Sequence, residues 1–490
     1  MTLDDRLLHR RHCYIGGAWV PTADGKTFPV VSPSTEEVIG EAPLATNEDM
    51  DGAVQAARRA FDEGPWPRLA PTERAEVLLR AAELLRKRAD EIAEITTEEM
   101  GCAISQSPQA QTGMLGPVLE YYAELVRSFP FERAVTTPER AGMVTMEPVG
   151  VVAAIVPWNA PVTLAVWKVA PSLAAGCTVV LKPPPEAPLS NFVLAEAFEE
   201  AGVPPGVLNV VPAGREVGEH LVTHPGTDKV AFTGSTDAGK RIMALCAQQV
   251  KRVSLELGGK SAAILLDDAD LGAVVPRIVG GAMHLSGQVC GALTRVLVPR
   301  SRYAEALDAA AATAKAVKVG DPHDPETVVG PLVAERQRTR VEGYIALAVE
   351  EGARVVAGGT RPDHLPKGWY VAPTVLADVD NGMRVAREEI FGPVLCFIPH
   401  DGDDDGVRIA NDSPYGLAGG VWSADATRAF AVARRIRTGS VSVNGGGSPL
   451  PLVPFGGFKE SGMGRELGPE GLVNFLETRS IGLPPELRPA

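Results

Sequence analysis

From residue 149 to 181 the chain carries a single charged side chain, Lys168. A run this apolar is long enough to cross a bilayer, which takes about 20 residues, so its punctuation decides what the chain can fold into. Pro157, Asn159, Pro161 and Pro171 divide it into a strand-like run at 149–156, a turn, a helical segment and a second strand-like run at 177–181. That is the pattern of a buried βαβ unit. The alternation continues, with apolar runs at 207–211, 229–233, 252–257 and 262–266 separated by helical patterns at 190–201 and 238–248. Strands separated by helix-length segments call for a parallel sheet covered on both faces. Upstream, 47–63 and 72–100 are rich in Ala, Leu, Glu and Arg at helical spacing and predict long amphipathic helices. Helix and strand alternate again from 302 to 444, which predicts a second α/β domain after about residue 257. A chain of 490 residues exceeds what one hydrophobic core usually serves.

The net charge of -14 opposes attraction to phosphate backbones or anionic lipid, so neither nucleic acid nor a membrane is an expected partner. Six cysteines, at 13, 102, 177, 246, 290 and 396, include no close pair. This is poor spacing for zinc or a disulfide framework; no metal is expected, and a reducing cytosol fits best. The first eleven residues are charged and contain no apolar core, so no secretory signal is read and a cytoplasmic location is expected.

Three residues suggest the chemistry. Cys290 follows Ser286-Gly287-Gln288-Val289, Glu256 stands in Leu255-Glu256-Leu257-Gly258-Gly259-Lys260, and Asn159 in Pro157-Trp158-Asn159. A thiol attacking a carbonyl needs a donor for the oxyanion and a base for the water that later releases the acyl group, and these residue types can fill those roles on an aldehyde. Read alone, Cys290 is equally a small buried hydrophobe. The run Phe232-Thr233-Gly234-Ser235-Thr236 follows a strand and opens a helix, so the Gly234 backbone and the Ser235 hydroxyl could donate to a pyrophosphate; a plain glycine turn reads the same. It lacks the glycine spacing of a dinucleotide fingerprint and the terminal Lys-Ser/Thr of a P-loop. Gly462-Met463-Gly464 follows no strand and is read as a loop. Lys182 ends a strand where a parallel sheet faces a ligand crevice, although a solvated lysine would look the same. Glu389 and Phe391, in Glu388-Glu389-Ile390-Phe391-Gly392-Pro393, read alone as a surface carboxylate and a core aromatic.

Together these segments resemble the aldehyde dehydrogenase superfamily from about residue 14 to about 477. The resemblance also rests on Gly176-Cys177-Thr178-Val179-Val180-Leu181-Lys182-Pro183 and Pro454-Phe455-Gly456-Gly457-Phe458-Lys459, in matching order and spacing. It implies an α/β fold in parts: a Rossmann-like parallel-sheet NAD(P) domain from 1–125 and 149–256, an α/β catalytic domain at 257–443, a small β oligomerisation arm from 126–148 and 478–490, and a tunnel and C-terminal segment at 444–477. It implies a homodimer or homotetramer, whose open arm edge would need a partner chain.

The resemblance implies oxidation of an aldehyde to the carboxylate through a cysteine thiohemiacetal and thioester. Cys290 would be the nucleophile, Asn159 and the Cys290 N–H the oxyanion donors, and Glu256 the general base. Lys168 and Glu466 match positions on a proton path from that base. Glu389 and Phe391 match the nicotinamide-ribose carboxylate and the ring-positioning aromatic, and Trp158 the adenosine side. One departure concerns the cofactor. Many members place Glu three residues after the lysine; here Pro185 stands there and Glu186 follows. NAD is the expected acceptor, through Glu186 reaching the same hydroxyls, with NADP left open through Lys182. Trp167 matches a tunnel aromatic, while Ala160, Gly291 and Pro449 stand where relatives are larger, which implies a wide mouth and a neutral aliphatic or aromatic aldehyde. A CoA-acylating dehydrogenase, a thiol esterase and a catalytically silent protein on the same fold are the alternatives; the carboxylate at Glu256 counts against the first.

Overall fold

The first apolar run becomes the strand Val151–Ile155, buried along its whole length. Val152 and Ala154 face one hydrophobic cluster, and Val151, Ala153 and Ile155 face another. A strand that serves a core on each face cannot afford a polar side chain on either, which is why this segment shows no alternation. The computed structural model describes residues 5–487. Residues 1–4 and 488–490, the outermost ends of the expected first and last segments, lie outside the described residues.

Val151–Ile155 pairs in parallel with Thr178–Lys182 on one side and Lys229–Thr233 on the other. Leu208–Val210 lies beyond the first and Arg252–Glu256 beyond the second. The sheet is completed by antiparallel strands at both edges, to eight in all. The direction of chain progression therefore reverses between Val151–Ile155 and Lys229–Thr233, and a crevice opens at the carboxyl ends there. In register at those ends, Lys182 stands opposite Ile155 and Glu256 opposite Thr233. Gly462–Met463, read from sequence as a loop, is instead a short edge strand against Leu255 and Glu256. Two residues give no periodicity to read, so only the tertiary pairing reveals it.

The helix Pro161–Ala175 is almost entirely buried and ends at Gly176, whose φ of 97° suits glycine. Pro171, expected to interrupt this segment, lies inside the helix. The Ser172 hydroxyl donates to the Lys168 carbonyl at 2.6 Å, supplying a side-chain bond one residue beyond the proline. The run at 72–100 forms two helices, Pro71–Lys87 and Ala89–Met100, because Arg88 leaves the helical region at φ −102°, ψ 14°. Its guanidinium pairs with Glu91 and with Glu196 of the helix Ser190–Glu200. The second helix thereby places the buried Glu99 at the start of Ser190–Glu200, where it accepts from the Leu189 and Ser190 N–H groups at 2.7 and 3.2 Å and from the Ser190 hydroxyl at 2.6 Å.

A second sheet of seven strands is parallel except at one edge. Along its strand Ala262–Leu265, alternate residues again face separate cores. The third unit is an antiparallel sheet of Leu476–Leu483, Ala141–Pro148 and Glu132–Thr136, the last exposed at every residue. The helix Leu115–Ser128 runs across the boundary expected at 125/126. Among the described residues no helix is long and apolar enough to cross a membrane.

Candidate active site

Cys290 is carried by a turn that only a specific neighbourhood allows. After the helix Leu271–Ala282, the residues Leu285, Ser286 and Gly287 adopt φ values of 48°, 57° and 75° in succession, a left-handed run that side chains disfavour. It is held by Gln106, which accepts from the Leu285 N–H at 2.8 Å, and by the Ser286 hydroxyl, which donates to Gly330 O at 2.8 Å. A Cβ at Gly287 would lie 2.2 Å from the Gly392 carbonyl, and one at Gly259 would lie 2.5 Å from the Cys290 carbonyl. Both must be glycine for the turn to sit where it does. Cys290 is partly exposed, whereas Cys13, Cys102, Cys177, Cys246 and Cys396 are buried. Burial of its sulfur, then the carboxylates of Glu389 and Glu256, push its pKa up to about 12, so the resting thiol keeps its proton.

Asn159 lies just past the strand Val151–Ile155. Its side-chain amide donates to Gln288 O at 2.9 Å, and its own carbonyl accepts from the Gln111 side chain at 3.0 Å. An amide nitrogen carries two protons, so one is left for a ligand. Glu256, at the end of its strand, is 5% exposed, and neither carboxylate oxygen has a hydrogen-bond partner within the protein. Burial drives its pKa well above the usual carboxylate range, Glu466 adds to the rise, and Lys168 and Arg465 oppose it. Gly456 makes the room: a Cβ there would stand 2.5 Å from Glu256 Oε1. Lys168 forms a buried ion pair with Glu466 and also donates to the Thr233 hydroxyl, on the strand residue opposite Glu256.

A cavity of about 380 Å³ takes in Trp158, Asn159, Gly234, Ser235, Glu256, Cys290, Glu389 and Phe391, together with Leu164, Arg336, Gln337 and Arg340. Phe391 has a left-handed φ of 63°; its carbonyl accepts from Gln337 at 2.7 Å, and its ring meets Trp158 edge-on at 5.3 Å. Glu389 accepts from the Gly259 N–H at 3.1 Å, and burial raises its pKa to about 7 against the pull of that N–H, Arg340 and Lys260. A Cβ at Gly258 would fall 2.4 Å from its carboxylate. Ser235 caps the helix Thr236–Ala247 by accepting from Ala238 N–H, and its own hydroxyl proton stays available. The expectation for Gly234 needs correcting: its N–H donates to Glu256 O at 3.0 Å, so its backbone is not free for a phosphate. What Gly234 supplies is space, since a Cβ would lie 2.4 Å from the Phe232 ring.

Four of the residues nominated from sequence for catalysis or cofactor binding lie outside that lining, as do Trp167, Ala160, Gly291 and Pro449, nominated for the tunnel. Lys168 and Glu466 stand behind Glu256, as described. Lys182 donates to the carbonyls of Pro183 and Ala213 at 3.1 and 2.8 Å, and burial lowers its pKa to about 8 against the pull of Glu186. Glu186 forms an ion pair with Arg336, which does line the cavity. Sequence reasoning missed Gln111, Gln288, Thr233 and Arg336. Gln111 and Arg336 stand in no local pattern, whereas Gln288 and Thr233 lie inside the runs around Cys290 and Gly234 and take their roles only from partners far along the chain.

A roomier recess of about 580 Å³ lies at the carboxyl edge of the seven-stranded sheet. Its arginines are already paired, Arg300 with Asp401 and Arg428 with Asp267 and Asp403, so neither offers a ligand an unpaired cation.

The model of the aldehyde dehydrogenase family matches residues 19–481. The geranial dehydrogenase of Castellaniella defragrans is 47% identical, over 99% of this chain and 100% of its own length. Among solved structures, a Mycobacterium tuberculosis aldehyde dehydrogenase complexed with NAD+ is 46% identical with a TM-score of 0.95, covering 97% of this chain and 98% of that one. Aldehyde dehydrogenase C from Pseudomonas syringae, a cysteine-to-alanine mutant complexed with NAD+ and octanal, is 42% identical with a TM-score of 0.94 and covers 98% of each chain.

Proposed function

Because the chain belongs to the aldehyde dehydrogenase family and is an NAD(P)-dependent enzyme of that kind, we propose that it oxidises a neutral aliphatic or aromatic aldehyde to the free carboxylate. The observation that carries this reading is the meeting of Cys290, Asn159 and Glu256 in one cavity with Glu389 and Phe391. NAD fits the residues present. Gly234 and Gly258 let the Phe232 ring and the Glu389 carboxylate approach the backbone closely, the Ser235 hydroxyl and the N-terminus of Thr236–Ala247 face the pyrophosphate side, Glu389 takes the nicotinamide ribose, and Phe391 and Trp158, in edge contact with each other, bound the neighbouring wall. Solved relatives hold NAD+.

The sulfur of Cys290 gives its proton up to solvent as it attacks the aldehyde carbon, and the oxyanion is held by the second amide proton of Asn159 and the Cys290 N–H. A nicotinamide held beside Glu389 and Phe391 would supply the acceptor for the hydride leaving that carbon, redox chemistry that no side chain supplies. Glu256, with both oxygens free of protein donors, takes one proton from water as its oxygen attacks the thioester; the carbon–sulfur bond breaks, the sulfur recovers a proton, and the product leaves as the carboxylate. Lys168 and Glu466, buried behind it, carry that proton onward.

On the substrate side, Trp167 and Phe455 stack edge-on at 5.5 Å, Leu164 lines the cavity, and Lys168 is neutralised by Glu466. An apolar tail suits this wall better than a charged one, in keeping with relatives named for geranial and solved with octanal. The assignment divides the chain into a cofactor unit of 1–125 and 149–256, a catalytic unit of 257–443, a tunnel segment of 444–477 and an arm of 126–148 and 478–490. The exposed edge Glu132–Thr136 of that arm would pair a second copy into a homodimer or homotetramer. Six free thiols suit a reducing cytoplasm. The test is absorbance of reduced nicotinamide with a panel of aldehydes, scoring the product as free acid or acyl-CoA in the presence of CoA. Acyl-CoA would overturn the hydrolytic assignment, and ester turnover without redox activity would favour a thiol esterase.

A further inference from the structure

We propose that Arg336 sets how strongly this enzyme discriminates between NAD and NADP, by neutralising the carboxylate that faces the adenine ribose. The inference rests on the reading of Lys182 and Glu186 as the ribose-recognising pair and extends it to a residue outside their segment.

The chain after the strand Thr178–Lys182 runs Pro183-Pro184-Pro185-Glu186, so the position three residues after the lysine has no carboxylate, and the acid that this segment supplies is Glu186. An unopposed carboxylate there would accept from ribose hydroxyls and repel a 2′-phosphate. Glu186 is not unopposed: it is 21% exposed and paired with Arg336, which comes from the helix Glu335–Glu350 of the other α/β unit and lines the cofactor cavity. The side chain of Arg336 is itself 61% exposed. Its planar fork matches phosphate as well as carboxylate, so it can turn from one to the other without a change in backbone. Lys182 cannot play that part alone. Two of its three protons are donated to the Pro183 and Ala213 carbonyls.

The consequence is a site whose acid favours the ribose diol while its arginine keeps the phosphorylated ribose from being excluded. Removing Arg336 leaves Glu186 bare and sharpens the preference for NAD. Removing the charge of Glu186 leaves Arg336 free and blurs it.

The test is steady-state kcat/KM for both cofactors with wild type, Arg336→Gln, Arg336→Lys and Glu186→Gln, at low and high salt. Arg336→Gln should raise the NAD-to-NADP ratio about ten-fold, mainly through KM for NADP, and Arg336→Lys should restore most of the loss, since it keeps the charge without the fork. Glu186→Gln should lower the ratio by a similar factor. Added salt should narrow the difference between wild type and Arg336→Gln, because the pair is partly exposed. If Glu186→Gln shifts the ratio and Arg336→Gln leaves it within two-fold or lowers it, Arg336 has no such role, and the ribose reading of Glu186 stands. If neither variant shifts the ratio, the ribose reading fails and takes this inference with it.

Discussion

Two buried carboxylates show how differently this molecule treats the same functional group. At the start of the helix Ser190–Glu200, Glu99 is fully buried and accepts three hydrogen bonds from Leu189 and Ser190. At the end of the strand Arg252–Glu256, Glu256 is almost as buried and accepts none. Burying a charge without partners is costly, so a fold keeps one only where a ligand or a reaction completes it. Glu99 is satisfied and holds a helix in place. Glu256 is left unsatisfied in a space that Gly456 keeps open, and that marks it for chemistry.

The contrast can be broken first at the cavity itself. Cys290→Ala should cut aldehyde oxidation below about one per cent of wild type while cofactor binding stays within a few-fold, because the thiol makes the bond to substrate. Fluorescence titration with reduced nicotinamide, alongside turnover, checks both halves, and residual oxidation above that level removes Cys290 as nucleophile. Glu256→Gln comes next, with steady-state turnover lowered about 10²- to 10⁴-fold. A stoichiometric burst of reduced cofactor should survive, and hydroxylamine should restart turnover by cleaving the thioester. Since Glu256 has no protein hydrogen bond to lose, the same variant should melt at or above the wild-type temperature. A lower melting point would mean that its burial is structural after all.

The opposite pattern is expected of Glu99→Ala. Leaving the Leu189 and Ser190 donors without their acceptor should cost about 3 kcal/mol of stability, read by denaturant or thermal unfolding, while turnover per folded molecule changes little. Loss of turnover without loss of stability would erase the distinction drawn above. The smallest effect concerns pH. Burial raises the Glu99 pKa to about 7, against the pull of the Ser190 and Leu189 donors. The folded state then holds this proton more tightly than the unfolded chain, so its contribution to stability is greatest below about 4.5 and declines as pH rises through about 7. Unfolding followed across that window should show a shallower decline for Glu99→Gln than for wild type.

Much of the architecture was legible because local pattern and tertiary role coincide. The strand Val151–Ile155 is apolar throughout, and Thr178–Lys182 and Lys229–Thr233 are apolar at their three central residues, because each serves two cores, and a short apolar run bounded by turn residues says so directly. The cavity residues Cys290, Glu256 and Asn159 were found through motifs that survive in sequence. What escaped was set by partners far along the chain. Arg88 breaks a helix in order to meet Glu196, Gly462–Met463 becomes a strand only because Leu255 and Glu256 are there to pair with, and Gly234 loses its free N–H to the Glu256 carbonyl. The Arg336–Glu186 pair joins residues 150 positions apart, and neither segment hints at the other.

The contact between Gly287 and the Gly392–Pro393 backbone also makes two distant stretches of chain mechanically inseparable. The turn that presents Cys290 rests on the segment that presents Glu389 and Phe391, with no side chain between them to act as a cushion. A fluctuation that lifts one must carry the other, so nucleophile and nicotinamide cradle should breathe together, with amide exchange in the two segments rising and falling as one cooperative unit. Alignment of thiol and hydride acceptor is then a property of one rigid seam and is not re-established by two loops at every turnover.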